Sequence, residues 1–512
     1  MGGASRINSM QKTSLFAIAI SLGIFLPAMR LSVSAQTIIA ATTPTPLPSP
    51  ASSQVLPYPA YGTPAPGIAT VKAVPGVPQQ ITLAQAIAIA AARSPAMSNA
   101  RAQLELAQAN VRLARVPELP NLAATASTNH SNNGSSITSN GNNGNNGNNG
   151  NNGQTVSRGT SFTSNSLTAN LRQLIFDGGR VINQVRAAQQ NEIGTADALK
   201  RTLQTTAFNV AQAYYNALQA HHATLLAVEI VRQNQVQENL VAAQIRAGTA
   251  AQSDLATAQF PTAQARVSLV KAQGTEIAAY ATFANALGLD ADAAVEPVDD
   301  TPANPNASLL QAPLLTYDAA VTRAVALRPD YDQSNRSVQA AQYSLRAARL
   351  GLFPNLVGNA QYGLASTNAV GGDFRSSNGI GAALSIPIYD QGQTAAQTAQ
   401  ARANLDIAGS NLQNTYLGIQ LNVRQALANL VSAQAALDQT QAELSKAIVV
   451  LRATQAQYRA GVTTLPLLLN AQVAITQAQT DHLTAVYALR QAEQSYLYAL
   501  GENDIAAGIY QT

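Results

Sequence analysis

The sequence predicts a mainly α-helical α+β protein, in which long antiparallel helices and four short β-strands are arranged in two internal repeats. Three observations lead to this prediction: an alanine-rich composition, an ordered set of motif matches within the chain, and helical runs too long for one globular domain. The 512 residues include 5% aromatic residues and no Trp, whereas a large globular core usually relies on aromatic and branched side chains. We therefore expect extended helices packed side by side.

The composition also excludes several kinds of site. The chain has no Cys, which rules out disulfides, thiolate metal ligands and a cysteine nucleophile. With only 4 His residues, neither a metal site nor a cofactor is expected. The formal charge of +4 falls to about +1 without Arg6, Lys12 and Arg30, and no basic run remains that could bind nucleic acid.

Catalytic motifs are missing from the sequence. It contains no G-x-S-x-G, H-E-x-x-H or P-loop pattern. His221 and His222 are expected in the middle of a helix, where adjacent residues face different ways, and they are interpreted as ordinary surface residues. We predict that the chain is not an enzyme.

The N-terminal segment 1–35 has the features of a secretory signal peptide: a cationic start, an apolar run at 15–26 and small residues before a cleavage site. The competing interpretation is a membrane anchor. Pro27 and Arg30 leave the run shorter than the roughly 20 residues of a spanning helix, which favours cleavage and export. Residues 36–80 are rich in Pro and are predicted to form a stiff linker.

An internal duplication is the most informative feature. Residues 81–288 and 315–501 are predicted to be two structural repeats, with a linker at 289–314 and a C-terminal tail at 502–512. The motif pairs, in order, are Ile81-Thr-Leu with Leu315-Thr-Tyr, Pro120-Asn-Leu with Pro354-Asn-Leu, Phe176-Asp-Gly-Gly with Tyr389-Asp-Gln-Gly, Arg246-Ala-Gly with Arg459-Ala-Gly, and Ala286-Leu-Gly with Ala499-Leu-Gly. An Asn/Gly-rich insertion at 140–153 explains most of the difference in spacing between early and late pairs.

Each repeat has the same predicted plan. A helical stretch, 81–116 or 315–350, is followed by two strands and then by a long helical run, interrupted at Gly248 or Gly461. The run at 180–245 would be close to 100 Å long at about 1.5 Å per residue. A globular domain is not that deep, so these runs favour a coiled coil or a helical array.

Four segments alternate between apolar and polar residues with the period of a β-strand. They are 122–127, 167–172, 356–364 and 380–388. Alternation over about 9–11 residues is typical of membrane barrel strands, which face lipid on one side and water on the other. Single-chain barrels begin at about eight strands, and in lipid every backbone group must be paired. We therefore expect a homotrimer that closes a barrel of about 12 strands in lipid.

The main alternative is a structural or adhesive trimeric coiled-coil protein of the cell surface. Such a protein would need neither the duplication nor the alternating strands, and this sequence has both. A periplasmic adaptor also has a long helical hairpin, but it would need glycine- and valine-rich β modules that the sequence lacks.

The duplication and its motifs resemble the outer-membrane efflux protein family, the TolC-like channel-tunnels. Phe176-Asp-Gly-Gly179, Tyr389-Asp-Gln-Gly392, Arg246-Ala-Gly248 and Tyr458-Arg-Ala-Gly461 carry the resemblance, which covers 81–501. It implies a homotrimer with a 12-stranded β-barrel in the outer membrane and a helical α-barrel in the periplasm.

The resemblance also implies a function and partners. The chain would be the passive exit duct of a tripartite efflux pump or a type I secretion system, carrying small molecules or proteins. Its partners would be a periplasmic adaptor (membrane fusion) protein and an inner-membrane pump or ABC transporter. The adaptor would dock on two helical tips. Those tips are formed by Arg246, Ala247 and Gly248 in the first repeat and by Arg459, Ala460 and Gly461 in the second.

The periplasmic gate implied by the resemblance departs from the pattern of some members, which place acids six and nine residues after the second turn glycine. Leu467 and Asn470 occupy those positions here. Leu467 either lines an apolar gate or packs between helices. In the first repeat, Asp254 either forms a latch with Tyr458 or is a solvated acid at a helix N-terminus.

Overall fold

A computed structural model describes residues 79–133, 160–299, 314–366 and 373–502. The predicted signal peptide, nearly all of the Pro-rich linker, the Asn/Gly-rich tract and nearly all of the C-terminal tail lie outside these ranges. Most of the described residues are helical, as the composition predicts.

The elements are numbered in chain order. The helices are α1 (Leu83–Arg93), α2 (Pro95–Arg115), α3 (Arg180–Arg246), α4 (Gln252–Ala286), α5 (Tyr317–Leu327), α6 (Pro329–Arg349), α7 (Gln393–Arg459) and α8 (Leu465–Leu500). The strands are β1 (Gln80–Ile81), β2 (Asn121–Asn133), β3 (Thr160–Phe176), β4 (Glu296–Pro297), β5 (Asn355–Ser366) and β6 (Arg375–Ser385).

Prolines divide the two helical stretches that the sequence analysis treats as continuous. Ser94 and Arg328 have extended backbone conformations, and Pro95 and Pro329 then begin α2 and α6. A residue before proline avoids the helical region because the ring of the proline clashes with its backbone. Each predicted stretch is therefore two helices with a bend between them.

The long helices α3 and α7 each contain 67 residues, close to 100 Å at about 1.5 Å per residue. Each ends at a glycine in the left-handed conformation, Gly248 at φ 74° and Gly461 at φ 73°. The next backbone N–H reaches back along the helix, from Thr249 to Gln244 O and from Val462 to Gln457 O, both at 2.9 Å. Both ends are Schellman motifs, after which α4 and α8 return antiparallel.

Aspartates start both long helices. Asp177 accepts hydrogen bonds from the backbone N–H groups of Gly179 at 2.9 Å and Val181 at 2.8 Å, one on each carboxylate oxygen. Asp390 accepts from Gly392 at 3.1 Å and from Thr394 at 2.7 Å. The hydrogen bonds from Thr394 hold the pKa of Asp390 below its ordinary value. The Phe-Asp-Gly-Gly and Tyr-Asp-Gln-Gly motifs are thus helix caps.

The buried core has two main clusters along the helices. One surrounds Tyr214 and Leu218 of α3, with Phe283 of α4. The other surrounds Ile419 of α7 and Leu489 of α8. A fully buried ion pair, from Arg490 to Glu493 at 3.1 Å, lies within α8.

The sheet is antiparallel and has the strand order β2-β3-β5-β6. β2 and β3 are longer than the predicted segments because their Thr, Ser and Asn residues continue the hairpin pairing beyond the apolar alternation. The predicted strand 380–388 is wrong at its end: β6 ends at Ser385, so Ile386 and Ile388 lie outside it. Pro387 has no N–H and cannot continue the ladder.

Replacing Asp177 with Ala removes both acceptors at the start of α3, so we expect the free energy of unfolding to fall by about 1–2 kcal/mol. Asp177→Asn keeps one acceptor oxygen and should lose about half as much. Denaturant unfolding of the purified protein measures both changes. Asp292→Ala, at an exposed position, is the control and should leave stability unchanged. Equal stability of the Ala variant and the wild type would contradict the capping role.

Candidate functional site

One face of the sheet is apolar and exposed. Its cross-strand rows join Leu122 to Leu171, then to Ala360 and Ile380. Leu122 is 73% exposed and Ile380 is 92% exposed in the single chain. The four predicted apolar faces therefore coincide on one side of the sheet, and no part of the chain within the described ranges covers them.

The other face of the same sheet is polar. Hydroxyl groups pair across β2 and β3, between Thr125 and Thr168 at 3.0 Å and between Ser127 and Ser166 at 2.8 Å. Further rows pair Asn170 with Gln361 and Arg172 with Asn359. The predicted alternation thus produces a sheet with chemically different sides. Within the described ranges, none of the helices combines the length and apolar character needed to cross a lipid bilayer.

The helical tips lie together at the ends of the two hairpins. The predicted tip residues are exposed in the structure; they are Arg246, Ala247, Gly248, Arg459, Ala460 and Gly461. Beneath them, Leu465 of α8 packs with Val241 of α3 and Ala258 of α4. This small cluster joins the α3–α4 hairpin to the α7–α8 hairpin.

The leucines at the start of α8 have different environments. Leu465 and Leu468 are buried, whereas Leu467 is 52% exposed and Asn470 is also exposed. Packing between the helices of one chain therefore accounts for Leu465 and Leu468 but not for Leu467. The side chain of Leu467 is available to line a pore or to meet another chain.

Asp254 and Tyr458 each have a partner of their own within the chain. The Tyr458 hydroxyl donates to Gln244 Oε1 at 2.9 Å, which links α7 to α3. The Asp254 carboxylate accepts from the backbone N–H of Ala251 at 3.2 Å and caps α4. Burial raises the pKa of Tyr458, and the negative charge of Asp254 raises it further. Asp254 therefore lies at a helix N-terminus within the single chain, and its two alternative roles, a latch with Tyr458 or a solvated acid, stay predictions.

This combination of an amphipathic sheet and long helical hairpins has matches among known proteins. The outer membrane efflux protein family matches residues 86–289 and 320–502. The chain belongs to the outer membrane efflux protein family. The resemblance inferred from the sequence motifs is thereby confirmed.

Three curated members of the family show the extent of the similarity. Outer membrane efflux protein BepC of Brucella suis is 26% identical over 64% of this chain and 72% of its own length. Cation efflux system protein CusC of Escherichia coli K12 is 25% identical, with 63% and 70% covered. Outer membrane protein TolC of the same strain is 24% identical, with 69% and 73% covered.

Solved structures share the fold at lower identity. A crystal structure of CusC has a TM-score of 0.70 and 21% identity, and the match covers 82% of this chain and 92% of that one. VceC from Vibrio cholerae has a TM-score of 0.66 and 17% identity, with 82% and 96% covered. These TM-scores establish a common fold.

A seam of amide side chains joins α3 to α8 in this family member, and the sequence does not predict it. Gln472 donates to Gln233 at 2.8 Å, and Gln491 donates to Asn216 at 2.8 Å. Nearer the sheet, Gln204 donates to the backbone oxygen of Gly501 at 3.0 Å. The abundance of Gln in both helices is the only sequence signal for it, and it does not reveal which residues pair.

His221 and His222 are partly exposed, and each also contacts a carboxylate that the sequence does not reveal. His221 Nδ1 lies 2.7 Å from Glu276 Oε1 on α4, and His222 Nε2 lies 3.0 Å from Asp299 Oδ2 after β4. Adjacent helix positions do face different ways, and here each direction meets a carboxylate. Among the residues that the structure describes, no group of three or more His, Asp or Glu side chains could hold a metal ion.

Removing the hydroxyl of Tyr458 should loosen the join between the hairpin ends. We expect Tyr458→Phe and Gln244→Met each to cost about 0.5–1.5 kcal/mol, and the double variant to cost no more than one hydrogen bond. Hydrogen exchange of the amides at the ends of α3 and α7 measures this local loss. Asp254→Asn tests whether Tyr458 acts through Asp254 rather than through Gln244. Strictly additive effects of Tyr458→Phe and Gln244→Met, or a Tyr458→Phe effect that vanishes in Asp254→Asn, would contradict the assignment.

Proposed function

We propose that the chain is the outer-membrane channel-tunnel of a tripartite efflux pump or a type I secretion system. It acts as a passive exit duct for small molecules or proteins, and an inner-membrane pump or ABC transporter supplies the energy. The observation that carries this proposal is the exposed apolar sheet face, joined directly to helices close to 100 Å long. A structural or adhesive coiled coil would not need an exposed apolar sheet face.

Lipid is the natural cover for the apolar face. Side chains such as Ile380, Leu122 and Leu384 are mostly exposed in the single chain. Exposed apolar surface of this kind marks contact with a membrane or a partner. The polar face, with its hydroxyl and amide groups, then lines the water-filled side of a barrel.

The free sheet edges support a homotrimer. Within the described ranges β2 and β6 pair on one side only, which leaves a row of backbone groups for a neighbouring chain. Backbone groups in lipid must all be paired, and four strands are too few to close a barrel, so three chains with about 12 strands satisfy both demands.

The order of segments follows from this proposal. Residues 1–35 direct export as a signal peptide, 36–80 form a linker, and 81–288 and 315–501 are the two repeats, joined by 289–314 and followed by the tail 502–512. The paired caps at Asp177 and Asp390 and the paired turns at Gly248 and Gly461 support the duplication.

The helical tips are the proposed docking surface for the periplasmic adaptor. They are exposed, and α3 and α7 hold them about 100 Å from the sheet. The cargo is left open by the relatives: one is named a cation efflux system protein and another a pyoverdine export outer membrane protein. We propose that the inner-membrane partner selects the cargo among classes that the duct admits.

The closed end is proposed to be gated by Leu467, with Asn470 one turn further along α8. Three exposed leucines meeting on the axis would exclude water, and a pore without water does not conduct ions. Asp254 and Tyr458 lie at the same tip, where they are proposed to bias the closed state.

The native mass of the complex extracted from the outer membrane in mild detergent tests the assembly. We expect three chains, because three sheets are needed to pair every strand edge. Cross-linking between cysteines introduced on β2 and β6 gives an independent check, with a matched pair on α2 and α6 as the control. A monomer from gentle extraction would leave the strand edges unpaired and would overturn the channel proposal.

Leu467→Asp tests the gate. Three carboxylates in place of three leucines should hydrate the constriction, raise its conductance severalfold and favour cations. Single-channel recording in planar bilayers measures both changes. Leu106→Asp, at an exposed position on α2, introduces the same charge far from the tips and should leave the currents unchanged. Wild-type currents from a folded Leu467→Asp trimer would show that Leu467 does not line the gate.

A further inference from the structure

The polar face of the sheet carries positive charge and no carboxylates. None of the four long strands contains Asp or Glu. The register places Arg172 and Arg375 on the polar face, the same side as Thr168 and Gln361. The water-facing side of the proposed barrel is therefore neutral apart from these two guanidinium groups, within the strands that the structure describes.

Arg172 lies near the end of the sheet where the strands meet the helices. Its cross-strand neighbours are Asn121 on β2 and Asn359 on β5, both uncharged. The side chain is exposed and forms no ion pair within the described part of the chain. Glu118 is an acid that lies three residues before Asn121, outside the sheet. Its backbone oxygen accepts a hydrogen bond from the side chain of Gln173. The charge of Arg172 is thus left to act on the solution beside it.

Arg375 is a weaker source of field. Arg375 begins β6 and pairs with Ala365 on β5, whereas Arg172 pairs with Asn359 on the same strand. These two β5 residues are six positions apart, so the two arginines are separated by about 20 Å along the strand at 3.3 Å per residue. This separation exceeds the Debye length of about 8 Å at physiological salt, so the charges of Arg172 and Arg375 act on a solute independently. Asp373 lies two residues before Arg375 and offsets its charge, whereas no acid stands beside Arg172 on the sheet.

At the tip, the first part of α8 supplies no ring of acidic side chains that would oppose the charge of Arg172. From Leu465 to Thr480 the helix has no charged residue, and its first charge is Asp481. The exposed side chains at the proposed constriction, Leu467 and Asn470, are both neutral. Neither side chain adds a fixed charge at the proposed constriction, so on the water-facing side of the sheet the charge comes from Arg172 and Arg375.

We propose that Arg172 gives the channel a preference for anionic solutes over cationic ones. Three copies form a ring of guanidinium groups on the water-facing side, and rings of Arg or Lys favour anions in pores. This inference rests on the proposed function, because it needs the polar face to line an aqueous duct. It names the favoured cargo as solutes that carry carboxylate, phosphate or sulfate groups.

Reversal potentials in planar lipid bilayers under a gradient of dilute KCl test the proposal, since dilute salt limits screening of the ring. The wild-type trimer should pass chloride in preference to potassium. Arg172→Gln should bring the permeability ratio close to unity, and Arg172→Glu should invert it. Arg172→Lys keeps the charge and should keep the preference. Lys271→Gln removes one exposed cation from α4 and should change nothing.

The outcomes distinguish a failure of the anion preference from a failure of the proposed channel function. A folded, membrane-inserted trimer without channel currents would overturn both. Currents that prefer potassium in the wild type, or that keep the same chloride preference in Arg172→Gln and Arg172→Glu, would overturn the role of Arg172 and leave the duct intact. If the Arg172 variants do not insert, swelling of wild-type proteoliposomes in gluconate and in N-methylglucamine solutions decides the sign of the preference.

Discussion

The pairing of backbone groups at the sheet edges is the constraint on which the rest of this protein depends. A strand edge in hydrocarbon leaves N–H and C=O groups without water, at several kcal/mol for each group. β2 and β6 have such edges within the described ranges, and the exposed face beside them is apolar. For the proposed outer-membrane channel, assembly is therefore a condition of membrane insertion, and the helices beyond the sheet must be compatible with it.

The contacts between the helices use amide and small side chains. α3 and α8 contact through amides such as Gln472 with Gln233, and small residues let their backbones approach closely. A hydrogen bond between amides is directional, so it fixes the register of two long helices better than a uniform row of alanines does. The buried pair of Arg490 and Glu493 lies within α8, and breaking a buried ion pair leaves an uncompensated charge.

The sequence predicts the elements better than their contacts. Gly248 and Gly461 reveal the helix ends because few residues other than glycine adopt a left-handed backbone at low cost. Alternation in β5 and β6 reveals which side is apolar, but Pro387 shortens the last strand. The partners of Tyr458, His221 and His222 could not be predicted, because they lie on helices whose rotation about one another is set by packing across the whole bundle.

One short contact has a consequence for how the chain folds. β1 pairs with β4 in parallel, Gln80 opposite Glu296, and Glu296 donates to Gln79 O at 2.8 Å while Val298 donates to Ile81 O at 3.0 Å. These two bonds join residues more than two hundred positions apart. Closing so large a loop is entropically costly, whereas each helical hairpin forms from local contacts. The large sequence separation therefore predicts that the bridge forms after the hairpins.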